Sequence, residues 1–128
     1  MTYHISKIID APLAVARQRA VDALAEAGFG VLTEIDVRAT MKKKLDRDMP
    51  GYVILGACSP EMAWQAMQHE PKIGTMLPCN VIVRDVGEGR IEVSAVDPEA
   101  SMQAIENPEL IEVAGEVRKR LQGMIDAL

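Results

Sequence analysis

The sequence predicts an α+β fold, a two-layer α/β sandwich with helices packed on one face of a mixed, mainly antiparallel sheet. Three observations carry that expectation. Helical and extended apolar patterns alternate in the order β-α-β-α-β-α-β-β-α-α. Capped, proline-led helix starts recur at Ser59-Pro60-Glu61, Asp97-Pro98-Glu99 and Asn107-Pro108-Glu109. Two β-branched runs flank Gly87-Glu88-Gly89, a hairpin signal that forbids a wholly parallel sheet.

Each element has its own justification. Residues 3–9 form a short alternating first strand. Helix one is expected over 11–27, with Leu13, Ala16, Ala20, Leu24 and Ala27 on one stripe and Gly28 as its left-handed stop. A strand follows over 29–35. A short helix over 37–45 is capped by Asp36 and shows Val37, Met41 and Leu45 on one face. Residues 52–57 are apolar on both faces, as a central strand is. A third helix runs from Pro60 to about Glu70, with Ala63, Ala66 and Met67 turned to the core. The hairpin strands cover 81–86 and 90–96, with Ile91, Val93 and Ala95 inward. A short helix starts at Pro98. The last one, 109–127, carries Leu110, Val113, Ala114, Val117, Leu121, Met124 and Ile125 on a broad apolar face.

In the three capped starts, a side-chain oxygen accepts from free N–H groups of the first turn. Proline has no N–H to leave unpaired there and a φ already suited to a helix. The glutamate that follows meets the positive end of the helix dipole.

No linker, repeat or composition shift divides the 128 residues, so residues 1–128 are read as a single domain. Aromatic residues are 3% of the chain, which leaves aliphatic side chains and eight methionines to fill the core. A net charge of −5 disfavours nucleic acid, which demands a concentrated positive face. The one dense basic run, Lys42-Lys43-Lys44, is followed by Asp46 and Asp48 and reads as a solvated helix face. No apolar run reaches the roughly 18 residues of a membrane span. The N-terminal residues lack the charged and apolar regions of a signal peptide, so the cytoplasm is the expected compartment. Reduced thiols go with it.

The chemistry-bearing residues are few. Cys58 and Cys79 are the only cysteines. Cys58 precedes the Ser59 helix start, where the dipole favours a thiolate. Cys79 follows the Pro78 bend and precedes Asn80, whose amide both donates and accepts. The two thiols meet only if the strands that carry them are antiparallel; parallel neighbours would separate them. Otherwise they are two separate structural cysteines. Glu34 and Asp36 lie two residues apart and so share a strand face. With Leu32 on that face expected buried, Glu34 reads either as a half-buried acid or as an exposed edge residue. Metal is not expected, because close C-x-x-C pairing is absent and His69 reads as a helix-end residue bonded to a carbonyl. No nucleophile elbow, phosphate loop, dinucleotide fingerprint or zinc-protease helix occurs.

Four segments carry a family resemblance: 28–36 (GFGVLTEID), 54–60 (ILGACSP), 77–81 (LPCNV) and 94–98 (SAVDP). Together they resemble the family called domain of unknown function 302, over nearly the whole chain. The resemblance implies a small α/β protein, a stand-alone homodimer, with no established reaction, substrate or cofactor. Glu34, Asp36, Cys58, Pro60, Pro78, Cys79 and Asn80 match its motifs.

Three functions follow from these residues. The first is a homodimeric module that binds a small molecule in a pocket near Cys58, Cys79 and Glu34, with Asn80 beside it. The second is a thiol redox or sulfur-carrier protein that uses Cys58 with Cys79 as resolving partner. The third is an interaction domain whose cysteines only fill space.

Overall fold

The computed structural model describes residues 2–128. The elements are β1 (His4–Asp10), α1 (Leu13–Glu26), β2 (Gly30–Asp36), α2 (Val37–Leu45), β3 (Tyr52–Cys58) and α3 (Pro60–His69). A 3-10 helix (Pro71–Met76), β4 (Cys79–Gly87), β5 (Arg90–Val96), α4 (Pro98–Ser101) and α5 (Pro108–Asp126) complete the chain. Five strands make one sheet in the order β1-β5-β4-β3-β2. Every pairing among the described residues is antiparallel, so the sheet is not mixed. The α+β expectation holds.

Alternation along the strands builds the core. Leu55, Val81, Val83 and Val93 are fully enclosed, packed in one cluster with Ala16, Ala20 and Leu24 of α1 and Leu121, Met124 and Ile125 of α5. Each large aliphatic side chain buried this way contributes about 1.5–3 kcal/mol. The alanines of α1 leave no side chain in the way, so its backbone approaches the sheet closely. A second cluster joins Ala66, Ile73, Met102, Leu110 and Ala114, and ties α3 and the 3-10 helix to α4 and α5.

The turns obey their local chemistry. Gly28 stops α1 at φ 90°, a left-handed value that favours glycine. Asp97 caps α4 by accepting from Glu99 and Ala100 N–H, and Asn107 caps α5 through Glu109 and Leu110 N–H. Asp36 accepts from Ala39 N–H at 2.9 Å at the start of α2. Ser59 differs: its side chain makes no cap bond, and the proline alone marks that helix start. The stretch before Cys79 winds into the 3-10 helix, with the Glu70 side chain accepting from Lys72 N–H.

Two inward assignments fail. Met67 of α3 is exposed, because Ala66 is the one residue of that helix that is fully buried. On β2 the pairing with β3 slips between Val31 and Thr33. A bulge of this kind resets the alternation of faces. Leu32 therefore stands 66% exposed instead of buried.

Candidate functional site

The antiparallel pairing of β3 with β4 places both cysteines at the same end of the sheet. Cys79 lies opposite Ala57, the residue before Cys58. Cys79 is buried with Val81 and Val83 on the helix side, while Cys58, at the strand's last position, is half-buried. Alternation puts the two one position out of phase, and both are free thiols.

They border one cavity of about 30 Å³. Its floor is the strand end, Ala57 to Ser59 with Cys79. Its walls come from Met62, Ala63 and Ala66 of α3 and from Leu110, Val113 and Val117 of α5, with Met102 closing the α4 side. Among the described residues no Asp, Glu, Lys, Arg or His lines it. The local sequence explains the shape: the alanines of α3 lean on the strand end without filling it. Unbranched Met62 and Met102 occupy the gaps that remain.

Electrostatics oppose a reactive thiolate. Burial pushes the Cys58 thiol above its ordinary value, in spite of the adjoining helix start. Cys79 is pushed up to about 11, chiefly by burial and then by the neighbouring Cys58 charge. Both shifts oppose the thiolate that the helix start next to Cys58 was expected to favour.

The two polar candidates lie elsewhere. Glu34 sits opposite Leu55, on the helix side of the edge strand β2. There Arg17 Nε of α1 donates to both of its carboxylate oxygens, at 3.1 and 3.2 Å. It is an exposed, ion-paired carboxylate and does not line the cavity. Asn80 lies opposite Gly56, exposed and on the side away from Cys79. The pocket near Cys58, Cys79 and Glu34 is thus a pocket of the two cysteines without Glu34.

His69 also differs from expectation. Its ring Nδ1 lies 2.6 Å from Glu109 Oε2, while its own carbonyl accepts from Asn107 Nδ2 at 3.1 Å. Among the described residues no group of three or more His, Cys, Asp or Glu is arranged to hold a metal ion. No helix among them is long and apolar enough to cross a membrane.

Sequence reasoning missed the cavity's hydrophobic walls. Leu110 reads as one residue of a broad apolar helix face, Met62 and Met102 draw no reading, and nothing in their spacing shows that they converge on the thiols. Met102 could have been found only from its place between two helix starts separated by a single short loop.

Comparison with known proteins agrees with this architecture. No curated protein matches the chain. The structure is similar to that of an uncharacterised conserved DUF302 protein from Bacillus stearothermophilus. The TM-score is 0.91 at 24% identity, over 99% of this chain and 98% of that one. A family model described as Domain of unknown function DUF302 matches residues 5–128. The chain belongs to the DUF302 family.

Proposed function

We propose that this protein is a homodimeric module that binds a small, uncharged, apolar molecule at the Cys58–Cys79 end of its sheet. The observation that carries the reading is the convergence of both thiols and two methionines on one cavity without an ionisable wall apart from the thiols. A charged ligand would lose its hydration there with nothing to replace it, at a cost of several kcal/mol. An apolar ligand would be held by burial alone, at roughly 25 cal/mol per Å².

The cavity at rest is smaller than the ~150 Å³ that admits benzene in an engineered apolar site. Binding therefore requires Met62 and Met102 to swing aside, which flexible thioether chains do at low cost. Protonated thiols serve as soft, weakly polar walls. Their raised pKa values favour this reading over thiol redox or sulfur transfer, which begin from a thiolate.

Native mass spectrometry of the untreated protein tests the proposal. A dimer mass that carries a small organic adduct is expected, and the adduct should vanish in Ala63→Leu, which fills the cavity from α3. A bare chain that gains no thermal stability from any neutral apolar probe would overturn it.

A further inference from the structure

Two surfaces of the molecule are unfinished, and they match. The helix α2 buries none of its nine residues. A helix that short is marginal in water unless packing supports it. It leans mainly on β2 and β3, while Leu45 at its end is 59% exposed. Between Val37 and Leu45 the chain carries four cations, Arg38 and Lys42 to Lys44, and no acid. Lys42 is held by Asp46 and Asp48 at 2.8 and 3.3 Å; among the described residues Lys43 and Lys44 have no ion pair.

The second surface is the outer groove between α3 and α5, about 480 Å³ in volume. Met62 and Val113 form its apolar floor, and His69, Glu109, Glu112 and Glu116 its polar sides. Residues 106–116 contain four glutamates and no Lys or Arg. Glu109 is engaged by His69 and Glu116 by Arg120, whereas Glu112 has no ion-pair partner among the described residues. Trp64 and Ile111, on the two helices that form the groove, are 65% and 56% exposed.

We infer that the α3–α5 groove receives α2 of a second copy of this chain, in a reciprocal, two-fold exchange. This rests on the homodimer of the proposed function and names its contact surface. Lengths agree: Glu109 to Glu116 spans about 10 Å of α5 and Arg38 to Lys44 about 9 Å of α2. The charges are opposite in sign, and the exposed Leu45 and half-buried Met41 give the helix an apolar strip for the Met62–Val113 floor. In its own chain α2 is seated mainly against β2 and β3, not in the α3–α5 groove. A two-fold exchange repeats the contact twice and closes the assembly.

Sedimentation equilibrium of the full chain tests this with two charge-reversed variants, each verified as folded by circular dichroism. One is Lys42→Glu, Lys43→Glu, Lys44→Glu; the other is Glu112→Lys, Glu116→Lys, which spares the Glu109 pair. The wild type should dimerise, at least tenfold more weakly in 0.5 M than in 0.05 M salt. Each variant alone should dimerise at least tenfold more weakly, and an equimolar mixture should restore the affinity, because both contacts again join opposite charges. A monomeric wild type would overturn the homodimer and this interface together. A dimer unaffected by either variant, or a mixture without recovery, would overturn the interface alone.

Discussion

Arg17 of α1 clamps Glu34 of β2 through both carboxylate oxygens, at a place on the sheet that does not line the cysteine cavity. The bulge beside Leu32 makes the clamp possible, since it turns Glu34 toward the helix layer. Exposed pairs of this kind contribute little, because water and salt screen them and two long side chains lose freedom. Glu34→Gln should therefore cost less than about 1 kcal/mol in urea denaturation. Ligand occupancy by native mass spectrometry should stay unchanged. Loss of the ligand would return Glu34 to the site.

Cys79 makes stability depend on pH in a defined direction. Its folded-state pKa of about 11 lies above the ordinary thiol value of 9.0. The unfolded chain loses this proton first, so the stabilisation is complete below pH 9 and lost as pH rises toward 11. The decline should amount to about 2–3 kcal/mol. Chemical denaturation at pH 8, 9, 10 and 11 measures it, and Cys79→Ala should flatten the curve by that amount. An alkylating probe should react slowly with both thiols at pH 7 and label the half-exposed Cys58 first. Rapid labelling at neutral pH would restore the thiolate reading.

Leu110 joins the wall of the cavity to the second core cluster, and it is 1% exposed. Leu110→Ala should cost about 2–5 kcal/mol, the lost burial plus the void left behind. The enlarged cavity should also admit a benzene-sized apolar probe that the wild type binds weakly. Calorimetry with such a probe would show both effects; a smaller loss would mean that α5 collapses onto α3.

Asp97 has two tasks. One carboxylate oxygen accepts from Glu99 N–H at 3.0 Å and from Ala100 N–H, while the other accepts from Arg118 Nε of α5 at 3.1 Å. Asp97→Ala should cost about 1–2 kcal/mol for the cap, with the lost contact to α5 in addition. Asp97→Asn keeps a competent cap and loses only the charge, so its cost should fall between wild type and alanine. Thermal denaturation of both variants separates the two tasks.

Much of this architecture was legible because local chemistry specifies it. Asp36, Asp97 and Asn107 cap the helices whose starts they announce, and Gly28 takes the positive φ that its place after a helix demanded. The β5 alternation put Ile91, Val93 and Ala95 inward. Ser59 misled because proline and the following glutamate start α3 without it. Leu32 misled because one extra residue in an edge strand inverts every face beyond it, and no residue type announces a bulge there.

By itself the sequence determined the elements, their class and the two thiols as the sparse chemistry of this chain, since periodicity, capping and turn geometry act over a few residues. Only the tertiary structure decided that β3 and β4 run antiparallel and bring Cys58 and Cys79 to one cavity. It alone decided that burial raises the Cys58 thiol, and that Glu34 answers to Arg17. Those outcomes depend on strand order and on desolvation, which arise between segments far apart in the chain and leave no local mark on the residues involved.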